Sequence, residues 1–106
     1  WLLTFYDMPV RTKEQRRTHT NWRHRLLREG FHRLQLSVYG KHFPNAASSR
    51  ACTHRLCQSL PSKGEVRFLT VTERQMEKML VYQGHDQLGP EPVPEQLLLY
   101  EMAATP

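Results

Sequence analysis

Residues 2–8, Leu-Leu-Thr-Phe-Tyr-Asp-Met, place apolar side chains at both odd and even positions before Pro9. β-branched and aromatic residues fit a pleated surface, and a strand apolar on both faces is a central strand covered on both sides. Pro9 cannot donate to a ladder, so pairing is expected to stop just before it, leaving Asp7 at the carboxyl end of the strand. Residues 11–29 change period. Trp22, Leu26 and Leu27, continued by Thr18 and Gln15, form a narrow stripe at helical spacing. Thr12 with Gln15 predicts a capping box at its start, and Gly30 a stop at its end.

From Phe31 to Tyr39 the period becomes two, with Leu34, Leu36 and Val38 on one face. That predicts a half-buried antiparallel strand, which residues 40–43 continue or turn into a second short one. Pro44-Asn45 opens a helix over roughly residues 45–60, with Ser49, Cys52, Leu56 and Leu60 inward and Arg50, His54 and Arg55 elsewhere. After the turn Pro61-Ser62-Lys63-Gly64, residues 65–72 read as a strand. Thr72 then caps a short helix over residues 73–79, with Met76, Met79 and Leu80 inward. The order β-α-β-(β)-α-β predicts an α+β, ferredoxin-like antiparallel domain over residues 1–82. Two Gly and three Pro make residues 83–94 a linker, and residues 95–106 follow as an apolar C-terminal strand. A tethered apolar strand needs an edge to join, which makes Leu97, Leu98, Leu99 and Tyr100 the expected partner-binding segment.

Charge sharpens this picture. The chain of 106 residues carries a net +5, unevenly spread. Residues 1–63 hold 12 Lys+Arg against 3 acids; residues 64–106 hold 3 against 7. Eight of the basic residues fall between Arg11 and Arg33. A solvated helix face normally mixes in acids, yet here only Glu14 and Glu29 intervene, so Arg11, Lys13, Arg16, Arg17, Arg23, Arg25 and Arg28 are candidate phosphate contacts. Burying unpaired charge is costly, and the Thr18–Trp22–Leu26 stripe turns Arg16, Arg23 and Arg28 toward the opposite or flanking faces. Cys52 and Cys57 cannot bridge from one helix and match no zinc or redox spacing, so both are expected as reduced thiols. No His pair has the i, i+4 spacing of a helical metal site. No apolar run is long enough to span a bilayer, and the N-terminal apolar run, short and without a basic segment before it, predicts no signal peptide, which makes the cytoplasm the default expectation.

Asp7 has two readings from its neighbours. Asp ahead of Met-Pro can open a turn by bonding its own backbone, or it can present a carboxylate where a sheet often presents chemistry. An RNA-recognition sheet is a poor fit, because Lys63-Gly64-Glu65-Val66-Arg67-Phe68 puts Glu65 and Arg67 where stacking aromatics belong.

Several segments together resemble one family. They are Trp1-Leu2-Leu3 with Phe5-Tyr6-Asp7-Met8-Pro9-Val10, Gln35-Leu36-Ser37-Val38-Tyr39, Gly64-Glu65-Val66-Arg67 through Leu69-Thr70-Val71-Thr72, Gln75, and Pro94-Glu95-Gln96-Leu97-Leu98-Leu99. In this order they resemble the small CRISPR-associated Cas2 proteins, particularly those of type II systems. The resemblance implies a ferredoxin-like homodimer with sheets packed face to face, its C-terminal strand lent to the partner subunit. It implies a central dimer that bridges two dimers of the larger CRISPR integrase subunit during spacer acquisition, on double-stranded protospacer and CRISPR-repeat DNA. It further implies a metal-dependent endoribonuclease or DNase activity carried by Asp7, with one Mg²⁺ shared between the two Asp7 carboxylates of a dimer.

Overall fold

The computed structural model describes residues 1–84 and 86–89, which belong to two compact units: Leu2–Thr70, and Trp1 with the chain from Val71 onward. In the first unit the order is β1 (Leu2–Asp7), α1 (Lys13–Arg28), β2 (His32–Gln35), β3 (Val38–Lys41), α2 (Ala46–Cys57) and β4 (Glu65–Thr70). The strands lie in the order β2-β3-β1-β4, every neighbouring pair antiparallel. This is the ferredoxin-like α+β arrangement that the alternation of periods predicts. β1 is central, with Leu2, Leu3 and Tyr6 buried and Asp7 exposed at its end.

The core gathers Leu2, Tyr6 and Met8 from β1 and the residues after it, Tyr39 from β3, Trp22 and Leu26 from α1, Phe31, and Cys52 and Leu56 from α2. Val66 and Phe68 of β4 pack against it half-buried. α1 begins as expected: Thr12 accepts from the Gln15 N–H at 3.0 Å, and the Gln15 side-chain oxygen accepts from the Thr12 N–H at 3.1 Å. It ends at Gly30, whose φ of +91° is the left-handed region that glycine enters without steric cost. Leu26 is fully buried, while Leu27, expected on the same stripe, is 47% exposed. A single helical stripe is too narrow to bury two consecutive positions equally.

Where one strand was expected over Phe31–Tyr39, there is a hairpin: β2 ends at Gln35, Leu36-Ser37 turns, and β3 begins at Val38. Leu36 sits on that turn, 73% exposed. The turn uses no left-handed residue, so no Gly or Asn marks it, and alternation runs straight through it. An irregularity between Arg33 and Gln35 adjusts the register, and the Ser37 carbonyl accepts from the Tyr6 N–H of β1.

In the second unit the Val71 N–H donates to the Trp1 carbonyl at 2.9 Å. Helix α3 (Glu73–Glu77) opens on Thr72, which forms a capping box with Gln75. Met76 is buried and Met79 half-buried; Leu80, expected inward, is 64% exposed because the helix has ended before it. β5 (Val81–Gln83) and β6 (Asp86–Gly89) form an antiparallel hairpin, with Gly84 at φ +63° in the connection. The span expected as a linker, 83–94, therefore begins inside a strand pair. Residues 90–94 and the expected strand 95–106, with Leu97, Leu98, Leu99 and Tyr100, lie outside the described residues.

Candidate nucleic-acid interface and the Asp7 strand end

α1 carries the seven basic candidates with the residues just before it, and the fold gives them different surroundings. Arg11, Lys13, Arg17 and Arg28 are exposed. Arg16 is exposed as well, but its guanidinium donates to the carbonyls of Val10 at 3.3 Å and Arg11 at 2.9 Å, bracing the chain that enters the helix. Arg25 is half-buried and donates to Ser59 Oγ at 2.9 Å and to Glu29 at 3.2 Å. Arg23 is half-buried too, with its Nε–H enclosed and without an acceptor among the described residues. The helix stripe leaves Arg23 only one position from Trp22, which brings its stem inward rather than to the far face.

Glu29 concentrates the ion pairing at the C-terminal end of α1. Arg55 of α2 bonds one carboxylate oxygen at 3.0 Å, Arg25 the other, and the Lys41 ammonium donates to the Glu29 carbonyl. The hydrogen bond from Arg55, with its charge and Arg25's, holds the Glu29 carboxyl below its ordinary value despite opposing burial. Cys52, 3.9 Å away, is pushed the other way: burial first, then the Glu29 charge, keeps its thiol protonated. Cys52 is buried and Cys57 exposed, both as free thiols.

Asp7 is exposed and makes no side-chain hydrogen bond or ion pair among the described residues, so nothing here ties it to a turn. Directly across the ladder on β4 stands Glu65, also exposed. Cross-strand partners bring their Cβ atoms to about 5 Å, and like charges so placed repel. Arg67, two residues along the same face and opposite Phe5, bonds Glu65 at 2.6 Å and lowers its carboxyl. Asp7, Glu65, Arg67 and Ser37 border one shallow hollow on this face. Sequence spacing could not pair Asp7 with Glu65, 58 positions apart; only the β1–β4 register does so. On the other side of β1, the Tyr6 ring meets His19 edge-on at 5.5 Å and stacks on Tyr39 at 6.0 Å. Burial, reinforced by Tyr39, drives the Tyr6 phenol well above its ordinary range.

The sequence profile described as CRISPR associated protein Cas2 matches residues 1–79. The chain belongs to the Cas2 family. It is 33% identical over 100 residues to the CRISPR-associated endoribonuclease Cas2 of Parvibaculum lavamentivorans, covering 94% of this chain and 99% of that one. Over 83 residues it is 41% identical to the protein of the same name from Acidovorax ebreus, covering 78% and 81%, and 39% identical to that of Streptococcus mutans serotype c strain NN2025, covering 78% of each. Among the described residues of this Cas2-family chain, no helix is long and apolar enough to cross a membrane. No three His, Cys, Asp or Glu side chains gather as a metal-holding group there either. The carboxylates near the β1 end among the described residues are Asp7 and, one strand over, Glu65.

Proposed function

We propose that this Cas2-family protein is a nucleic-acid-binding scaffold of CRISPR adaptation, a homodimer that bridges dimers of the larger integrase subunit and holds duplex DNA by its phosphates. The observation that carries the reading is the exposed basic surface of Arg11, Lys13, Arg17 and Arg28, with Glu14 the one acid in the first turn of the helix. Flexible exposed cations make phosphate contacts that position a duplex without reading its bases. A two-fold dimer doubles this surface. The test is reconstitution of the dimer with the integrase subunit and a protospacer duplex. Replacing Arg11, Lys13 and Arg17 together by Ala should abolish stable complex formation and integration, while Asp7→Asn leaves both intact. Integration that survives the triple replacement would refute the scaffold reading.

A second reading, phosphodiester hydrolysis, is favoured by the exposed Asp7 carboxylate, which has no side-chain partner among the described residues, with Glu65 opposite it. Two carboxylates suit Mg²⁺, which keeps several waters and needs few protein oxygens. Asp7 would hold the ion, which when bound supplies Lewis acidity to a phosphate and a more acidic water. Arg67 bonds Glu65 and favours its charged form, which leaves Asp7 as the carboxylate without a side-chain partner among the described residues. Under this reading, Asp7→Asn abolishes chelator-sensitive cleavage of RNA or DNA while the dimer persists; equal cleavage by the variant rejects it.

A further inference from the structure

Two hollows lie end to end along one side of α1, and they share Thr18. One is bordered by Thr12, Gln15 and Thr18 of α1 with Ser62 and Lys63. The other is bordered by Thr18, Trp22, Arg25 and Arg28 with Ser59. Gln15, Thr18, Trp22 and Arg25 follow one another at steps of three and four, so they form a single ridge of the helix. From Gln15 to Arg28 that ridge runs about 20 Å at 1.5 Å per residue. The opposite bank is the connection from α2 to β4, which supplies Ser59, Pro61, Ser62 and Lys63. Together they make one furrow.

We propose that this furrow is the track for the phosphates of a single nucleic-acid strand. The proposal rests on the nucleic-acid-binding reading above and assigns its path. The charged side chains bordering the furrow are the cations Arg25, Arg28 and Lys63 against the single carboxylate Glu14, with the hydroxyls of Thr18 and Ser59 between them and Met8, Pro9 and Pro61 as apolar wall. Arg25 is already oriented by Ser59 and Glu29, so it loses little freedom when an acceptor arrives. Trp22, only 3% exposed, forms part of the furrow's wall, so its indole senses what occupies the furrow. At one phosphate per 3.4 Å of strand along a duplex axis, the furrow's length spans several in succession.

Trp1→Phe leaves Trp22 as the one tryptophan of the chain, and circular dichroism checks that the fold is retained. In this full-length background, fluorescein-free oligonucleotides of mixed sequence, single- and double-stranded, are titrated across a salt series while Trp22 emission is followed. The oligonucleotide should change Trp22 emission. Arg28→Ala and Lys63→Ala should each lower the slope of log K against log salt by about one and diminish that change. Arg50→Ala, on α2 outside the furrow, should leave the emission change as it is. If the wild type binds no oligonucleotide, both the furrow and the reading beneath it fail. If binding persists with unaltered slope in Arg28→Ala and Lys63→Ala while Lys13→Ala and Arg17→Ala lower it, the furrow alone fails. A response to poly-glutamate and not to oligonucleotide would make the furrow a site for acidic peptide and overturn the proposal.

Discussion

Gly64 shows how one residue fixes the neighbourhood of Asp7. Its φ is +93°, and a Cβ there would stand 2.5 Å from the Asp7 carbonyl oxygen and 2.9 Å from Met8 Cα. Both obstacles are backbone, so they cannot swing away. Gly64→Ala should destabilise the domain by about 2 kcal/mol from the left-handed conformation alone, with more from the clash, read as a lowered Tm. An unchanged Tm would mean that β1 and the turn into β4 can separate freely. Glu29 sets a pH dependence of known sign. Its carboxyl sits below the ordinary 4.5 in the folded chain because Arg55 and Arg25 bond its charged form. Its contribution to stability is thus present above about pH 4.5 and is lost as pH falls through the folded value. Denaturant unfolding of wild type and Glu29→Gln should converge on acidification below pH 4; curves that stay a constant distance apart would show that the carboxylate's charge adds nothing.

At the scale of elements, caps and periods carried most of the information. The Thr12–Gln15 box and the Ser49, Cys52 and Leu56 positions of the second stripe were legible because each depends on residues three or four apart, and the Gly30 stop because it rests on one residue; Leu60, expected on that stripe, is 44% exposed because α2 ends at Cys57. Thr12→Ala removes the acceptor for the Gln15 N–H and should cost about 1 kcal/mol, measurable by denaturant titration; a loss below a few tenths would mean water replaces the cap without penalty. The hairpin at Leu36-Ser37 was not legible, because its turn needs no special residue and the apolar alternation continues across it. The β5–β6 pair was hidden for the opposite reason: glycines and prolines around it signal a linker, while Val81 and Tyr82 give only a short strand pattern. Glu65 escaped notice as the neighbour of Asp7, since strand register is a property of the folded sheet. The basic helix was recognised by charge, but its sorting into exposed, bracing and half-buried arginines depends on where Val10, Ser59 and Glu29 lie.

On the scale of the whole molecule, the chain divides its charge: a basic first half that includes α1 and an acidic remainder. A domain of this size commonly gains stability by self-association, and the apolar segment Leu97-Leu98-Leu99-Tyr100 is the one proposed to join a partner's sheet edge. Deleting residues 95–106 should raise the dimer dissociation constant, seen by sedimentation at micromolar concentration; a truncated chain that remains a dimer with wild-type affinity would remove that segment from the interface. Scaffolding by the basic surface makes a more direct demand. Duplex affinity is to be measured from low to physiological salt for wild type and for Arg11→Ala, Lys13→Ala and Arg17→Ala. Binding should be independent of sequence, with the slope of log K against log salt reduced by about one for each cation removed. Slopes equal to wild type in all three would show that this face of α1 only meets water, and would contradict the account.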